Sequence, residues 1–195
     1  MSQTIAKITN EIFDLYEKYG QADYIGEPVS QIEHMSQSAQ LAIKEGYDDD
    51  VVLAAFFHDI GHICVQSLEE SSMDGYGTKS HEQIGADFLR EKGFPEKMAR
   101  LVEYHVQAKR YLTFKFPEYY DNLSEASKRT LEFQGGKMNS IEASKFETDP
   151  LFEISIAMRK WDEQAKEIGV PIIPLSELKI RTQNALELSL KKKNS

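Results

Sequence analysis

The fold of this chain is decided by the stretch VVLAAFFHDIGH, residues 51–62. Its first seven residues are apolar without a break, which predicts a helix buried on all sides rather than an amphipathic surface helix. His58 and Asp59 follow directly, and burying them side by side is costly unless they have a partner. A metal ion is the simplest partner, because imidazole and carboxylate together suit iron, manganese or zinc. Neighbouring residues point about 100° apart on a helix, but they can converge where a helix ends.

Helical spacing of apolar residues continues on both sides of this stretch. No alternating strand pattern longer than a few residues occurs, so we expect an all-α single domain, residues 1–195, of eight or nine helices. Residues 21–29 and 67–79 are predicted as loops because they are rich in polar residues and contain glycine. The predicted helices span residues 5–19, 30–46, 48–59, 80–91, 95–106, 123–133, 141–146, 150–169 and 178–190.

Composition excludes several classes of function. A length of 195 residues suits one domain with a sizeable core. The net charge of −9 argues against a broad nucleic-acid surface. The only cysteine, Cys64, excludes an internal disulfide and fits a reducing compartment. No signal peptide and no long apolar span is visible, so we expect a cytoplasmic protein without membrane or obligate protein partners.

The histidines form the main functional signal. All five lie on or beside the apolar face of a predicted helix, and none lies in a polar loop: His34, His58, His62, His81 and His105. A single histidine in such a position is usually an ordinary core residue. Five of them, one adjacent to Asp59, favour a shared site. Asp162 follows Trp161 in an apolar helix, where a carboxylate also needs a partner.

These side chains are numerous enough for two metal ions. One ion could be held by His34, His58, Asp59 and Asp162. The other could be held by His81, His105 and the second oxygen of Asp59, since a carboxylate can bridge ions about 3.5–4 Å apart. The second ion would have fewer protein ligands and therefore open positions for a substrate or O₂.

The pattern of His34, His58-Asp59 and Asp162 resembles the H…HD…D signature of the HD-domain superfamily. Most members are metal-dependent phosphohydrolases. With His81 and His105 added, the chain is similar to dinuclear members, which include cyclic-dinucleotide phosphodiesterases and diiron oxygenases. Such a resemblance implies an HD-domain helical bundle.

The likeness is strongest to the HD-domain diiron oxygenases that cleave carbon–phosphorus bonds. It rests on DYIGE at 23–27, HDIGH at 58–62, EASKRTL at 125–131 and QGG at 134–136, and it covers nearly the whole chain. It implies two iron ions in a mixed-valent Fe(II)/Fe(III) state. It also implies O₂-dependent cleavage of a 1-hydroxy-2-(amino or trimethylammonio)ethylphosphonate, which gives phosphate and glycine or glycine betaine. The dinuclear phosphodiesterases usually carry lysine where His62 stands.

Candidate phosphonate contacts lie one helical turn from the metal ligands. His62, Lys109 and Arg159 are in this register, and cationic donors suit a phosphonate dianion. Ser127 and Thr130 could add hydroxyl donors. The competing interpretation is that these are ordinary solvated polar residues.

The loop before His34 carries two further candidates. Glu27 could accept a substrate ammonium, and Tyr24 resembles the family tyrosine that occupies an open iron position before substrate arrives. A loop with both residues could act as a lid. The competing interpretation is an ordinary loop acid and a packed loop aromatic.

Two other functions stay open at this stage. A dinuclear phosphohydrolase or phosphodiesterase would use the same ligands to activate water, without Tyr24 or a redox-active metal. A non-catalytic HD module is the third, although none of the ligands expected of a catalytic member is missing. The sequence leaves the substrate nitrogen open between a primary amine and a trimethylammonium group.

Overall fold

The computed structural model describes residues 2–24, 26–65 and 80–193, and helices dominate this part of the chain. No strand lies within those ranges, where the only β-type pairing is an isolated bridge between Asp23 and Ser30. The all-α prediction is confirmed. None of the described helices is long and apolar enough to cross a bilayer. In order, the helices are α1 (Ser2–Tyr19), α2 (Gln31–Lys44), α3 (Asp49–Phe57), α4 (Ile60–Cys64), α5 (His81–Lys92), α6 (Glu96–Lys115), α7 (Pro117–Asn122), α8 (Glu125–Phe133), α9 (Ser140–Glu147), α10 (Phe152–Gln164) and α11 (Leu175–Lys193).

Helix α3 lies at the centre of the bundle. Every residue from 51 to 57 is at most 1% exposed, because α2, α6, α10 and α11 pack around it. The helix begins at the N-cap Asp48, whose carboxylate accepts from the Val51 amide. A helix with apolar residues on all faces can be stable only in such a position, so the sequence pattern predicts its place correctly.

The chain breaks its helical path just after α3. Asp59 has φ −105° and ψ 13°, outside the helical region, and the short α4 starts at the next residue. Gly61 lets α4 lie directly on the start of α5, because a Cβ there would sit 2.0 Å from the carbonyl oxygen of His81. The break therefore leaves His58 facing His34 of α2 and places the Asp59 carboxylate between α2 and α5.

Several predicted boundaries differ from the structure. The helix expected to reach Gly169 ends at Gln164, because Ala165 leaves the helical conformation (φ −77°, ψ 50°). The helix predicted from residue 80 begins one residue later, because the backbone of Ser80 is left-handed (φ 57°) and its side chain makes no cap hydrogen bond. The helix count rises to eleven in the described residues because α4 and α7 are short pieces that the periodicity does not separate. The predicted loop at 67–79 lies outside the described residues.

Candidate metal centre and substrate cavity

Four imidazoles from different elements meet in two pairs. His34 of α2 and His58, which ends α3, have their Nε2 atoms 3.0 Å apart. His81 of α5 and His105 of α6 have their Nε2 atoms 3.1 Å apart. All four residues are buried. Because the partners are far apart in the sequence, only the packing of the helices brings each pair together.

The carboxylate of Asp59 lies between the two pairs. Its Oδ2 is 3.7 Å from Nε2 of His34 and 3.4 Å from Nε2 of His58. Its Oδ1 is 3.3 Å from Nε2 of His81 and 3.5 Å from Nε2 of His105. One oxygen thus faces each pair, which is the arrangement that a bridging carboxylate needs.

The hydrogen bonds of the other ring nitrogens favour a metal-binding tautomer. Nδ1 of His34 donates to the Ala165 carbonyl at 2.9 Å, and Nδ1 of His58 donates to the Ala55 carbonyl at 2.8 Å. A carbonyl oxygen only accepts, so each Nδ1 carries a proton and each neutral ring presents an Nε2 lone pair to the other. His105 has the same arrangement, with Nδ1 2.6 Å from the Val102 carbonyl. Such Nδ1 bonds orient metal-binding histidines.

Two lone pairs that face each other at this distance repel, and a positive charge between them removes the repulsion. Metal–nitrogen bonds of about 2.0–2.1 Å at a right angle would place two nitrogens about 3 Å apart, as the Nε2 atoms are here. Without a metal ion, a proton on one of the two Nε2 atoms would remove the same repulsion. Burial opposes a charged His58, but the charge and hydrogen bond of Asp59, the charge of Asp162 and the Ala55 carbonyl together outweigh it and raise the pKa of His58 to about 9. The donor set therefore fits transition-metal ions.

Asp162 completes the group around His34. Its Oδ1 is 3.4 Å from Nε2 of His34, and its Oδ2 accepts from Nη1 of Arg159 at 2.5 Å. Burial opposes ionisation, but Arg159 and the imidazoles hold the pKa of Asp162 well below its usual range. This first group offers four ligand residues: His34, His58, Asp59 and Asp162. The second offers three: His81, His105 and Asp59.

A cavity of about 70 Å³ opens above the second group. Eleven of the thirteen residues predicted for the site line this cavity, and His34 and His58 lie beneath it as ligands. The lining residues are Tyr24, Glu27, Gln31, Asp59, His62, His81, His105, Val106, Lys109, Ala126, Ser127, Thr130, Gln134, Arg159 and Asp162.

Arg159 presents a buried cation to the cavity. It is 4% exposed, and its Nε donates to the Tyr119 hydroxyl at 2.9 Å and to the Glu163 carboxylate at 2.8 Å. With Nη1 on Asp162, two of its three nitrogens are held by three hydrogen bonds. Nη2 is buried without a hydrogen-bond partner among the described residues, so this donor is available to an anion in the cavity.

Lys109 supplies a second cation at the same wall. Its ammonium donates to the Thr130 hydroxyl at 2.8 Å, which leaves two of its three N–H groups for another acceptor. Burial, and next the positive charge of Arg159, lower the pKa of Lys109 to about 7. Ser127 and Thr130 lie on α8 beside it. An anionic ligand would relieve the repulsion between these two cations.

The loop with Tyr24 also borders the cavity. The ring of Tyr24 stacks on His34 with centroids 4.0 Å apart, so it lies beside the first group. The loop is a tight turn in which the Tyr24 amide donates to the Val29 carbonyl at 3.0 Å. Gly26 has φ 82°, and a Cβ there would be 2.8 Å from Cβ of Ala126. The loop therefore rests directly on α8.

His62 and Glu27 have close neighbours of their own. The ring of His62 stacks on His81 with centroids 4.1 Å apart, and burial lowers the pKa of His62 to about 3, so the imidazole is neutral. Glu27 lines the cavity, but its Oε1 already accepts from the Lys166 ammonium at 2.6 Å. The predicted role of Glu27 as the acceptor of a substrate cation must therefore take account of Lys166, which already occupies this carboxylate.

Sequence reasoning missed several residues at the site: Gln31, Gln134, Tyr119, Glu163 and Lys166. The amide oxygens of Gln31 and Gln134 line the cavity and are buried without a partner among the described residues. The position of Gln31 gives a sequence signal, because it lies three residues before the predicted ligand His34 and therefore about one helical turn from it. Lys166 gives no sequence signal, because it lies beyond the point where α10 ends.

Comparison with known proteins agrees with this geometry. Residues 32–142, which include the candidate ligands from His34 to His105, match the HD domain family. The chain belongs to the HD-domain family. It is 40% identical, over 82% of its length and 80% of the relative's, to the [1-hydroxy-2-(trimethylamino)ethyl]phosphonate dioxygenase (glycine-betaine-forming) of Leisingera caerulea. It is 33% identical, over 97% of its length and 93% of the relative's, to the hydroxymethylphosphonate dioxygenase of Gimesia maris. An uncharacterized protein of Acanthamoeba polyphaga mimivirus is 46% identical over 90% of this chain and 80% of its own length.

These relatives confirm the resemblance noted in the sequence. Two of them are named as phosphonate dioxygenases, which supports an HD-domain enzyme of that kind. Their named substrates differ at the end away from the phosphonate, where one has a trimethylamino group and the other has none.

Proposed function

We propose that this protein is an O₂-dependent diiron oxygenase that cleaves the carbon–phosphorus bond of a small 1-hydroxyphosphonate and releases phosphate. The proposal rests on one observation: the Asp59 carboxylate lies between two imidazole pairs, beside a small cavity lined by two buried cations. The two relatives named as phosphonate dioxygenases support the same chemistry.

The ligand residues divide between the two iron ions. His34, His58, Asp59 and Asp162 would hold one ion, and His81, His105 and Asp59 would hold the other. When bound, a mixed-valent Fe(II)/Fe(III) pair would supply the redox chemistry with O₂. The chain's own contribution is to fix the imidazole tautomers and to keep Asp162 ionised through Arg159.

The side of the cavity that carries Arg159 and Lys109 would hold the phosphonate. Arg159 Nη2, the two unused N–H groups of Lys109 and the hydroxyl of Ser127 are donors on one side of the cavity. Charge-assisted hydrogen bonds of this kind bind and orient an anion strongly. Because the guanidinium is fixed by Tyr119 and Glu163, little order has to be imposed on it when substrate binds.

The loop with Tyr24 would exclude water from the reacting carbon. Its ring covers His34, and Gly26 packs against α8, so the loop spans the cavity from the first group to the phosphonate donors. His62, which is neutral, can donate or accept a hydrogen bond near the substrate without adding charge. Opening of this loop would admit substrate.

The decisive test is the dependence of phosphate release on O₂. Iron-loaded protein should consume one O₂ for each phosphate released from hydroxymethylphosphonate or a 2-substituted 1-hydroxyethylphosphonate. Lys109→Met should lower kcat/KM about 100-fold or more by removing a buried phosphonate donor. Lys128→Met, which changes a lysine outside the cavity on the neighbouring helix, should not. Equal turnover in strictly anaerobic buffer would identify a hydrolase instead.

A further inference from the structure

The ion pair between Glu27 and Lys166 lies at the cavity wall. The Lys166 ammonium is 2.6 Å from Oε1 of Glu27, and the two side chains are only 19% and 11% exposed. Glu27 lines the cavity and Lys166 does not. The lysine therefore approaches the carboxylate from behind the wall, as a cation that belongs to the chain itself.

The backbone around Lys166 is held on both sides. The preceding residue, Ala165, accepts from Nδ1 of His34 at 2.9 Å. The following residue, Glu167, makes two hydrogen bonds with the Gln37 side chain, at 2.9 Å through its carbonyl and 3.0 Å through its amide. Because both neighbours are tied to α2, the base of the Lys166 side chain has a fixed position next to the loop with Glu27.

We propose that Lys166 is a specificity-determining residue that acts through Glu27. It gives this carboxylate a cation from within the chain, so a phosphonate with an uncharged far end can bind without leaving Glu27 unpaired. A phosphonate with an ammonium or trimethylammonium end must displace the Lys166 ammonium or share the carboxylate with it. Two cations on one carboxylate repel each other at short range. This inference rests on the proposed function, since it assumes that a phosphonate occupies the cavity.

The effect of ligand charge on binding can be separated from the effect of ligand shape with a matched pair of unreactive phosphonates. 2-(Trimethylammonio)ethylphosphonate and 3,3-dimethylbutylphosphonate have nearly the same shape and differ in one positive charge, and neither carries the 1-hydroxyl group. Their dissociation constants would be measured by calorimetry on iron-loaded protein. The quantity of interest is the ratio of the two constants, because changes in loop stability affect both ligands alike.

Lys166→Met should shift this ratio toward the cationic ligand by about tenfold, since it leaves the Glu27 carboxylate for the ligand. Glu27→Gln should remove the preference for either ligand, and adding Lys166→Met to it should change nothing further. Lys160→Met, an exposed lysine on α10, is the control and should bind both ligands as the unaltered protein does.

Two measurements separate this inference from the proposed function. An unchanged ratio in Lys166→Met, in protein that consumes O₂ and releases phosphate, would overturn the inference alone. A shifted ratio in protein without O₂-dependent turnover would overturn the proposed function alone. If neither phosphonate binds to any variant, both are wrong. The changes in unfolding free energy caused by Glu27→Gln and Lys166→Met in ligand-free protein should also be non-additive when the two substitutions are combined. Additive changes would show that the two side chains do not form an ion pair.

Discussion

At the scale of single residues, the proposed metal centre depends on backbone carbonyl groups as much as on its candidate ligands. The carbonyls of Ala165, Ala55 and Val102 each hold the Nδ1–H of one ligand histidine. They fix the tautomer that exposes Nε2 to a metal. The bond to Ala165 also explains why α10 stops early, since a carbonyl within a continuing helix would be used by the helix itself. No side-chain pattern in the sequence indicates these contacts.

Lys109 should make phosphonate binding dependent on pH. Burial and the charge of Arg159 lower its pKa to about 7, so below that pH the side chain is mostly the ammonium form and above it mostly neutral. A phosphonate anion favours the ammonium form, so binding takes up a proton, and affinity should fall as the pH rises above about 7. Bound metal cations would lower the pKa further and leave this direction unchanged.

The measurement compares the unaltered protein with Lys109→Arg, because a guanidinium keeps its charge throughout this range. Affinity for 3,3-dimethylbutylphosphonate would be followed by calorimetry across the neutral to alkaline range. The difference between the two proteins removes the titration of the ligand itself. Parallel pH profiles would show that Lys109 does not titrate against the ligand.

At the scale of elements, the site depends on the close contact between α4 and α5. The break after α3 turns Asp59 toward both imidazole pairs, and α4 then rests on the first residue of α5. Gly61 permits this contact, and Gly85 lies on the α5 side of it with the Gly61 amide 3.2 Å from where a Cβ would be. The position of His81 is therefore set by a glycine contact between two helices.

Gly61→Ala should displace His81 and weaken the second metal site. The added methyl group would meet backbone atoms of His81 at 2.0, 2.7 and 2.9 Å, and backbone cannot move aside as a flexible side chain can. Overpacking of this kind costs about 1–3 kcal/mol. We expect a lower midpoint of thermal unfolding and about one iron per chain. Gly46→Ala is the control for lost stability alone, because its backbone is left-handed (φ 80°) and strained by a side chain, while nothing lies within 4 Å of its Cβ position. It should keep its iron, and normal iron content in Gly61→Ala would refute this explanation.

At the scale of the whole molecule, the bundle joins residues from most of the chain into one site. The loop with Tyr24 and helices α2, α5, α6, α8 and α10 all contribute side chains, and the end of α3 with its following break contributes His58 and Asp59. The apolar run at 51–57 made the all-α class and the central helix predictable. The adjacent His58 and Asp59 made a metal site predictable, because buried polar groups of this kind need a partner.

The remaining features depend on distances that a sequence does not contain. The ion pair of Glu27 with Lys166 joins residues at opposite ends of the chain, so neither one's surroundings indicate the other. The anchoring of Arg159 by Tyr119 likewise requires α7 to pack beside α10. Predicted boundaries failed where a tertiary hydrogen bond competes with the helix, as at Ala165.

The central claim is that Asp59 bridges two iron ions, and iron content tests it most directly. Protein reconstituted with iron under anaerobic conditions should hold two irons per chain, and Asp162→Asn, which alters only the first group, should keep about one. Asp59→Ala should hold almost none, because both groups lose the oxygen ligand that they share, which leaves the second group with two imidazoles alone and the first with two imidazoles and Asp162. A full complement of two irons in Asp59→Ala would contradict the bridging arrangement on which the proposed chemistry depends.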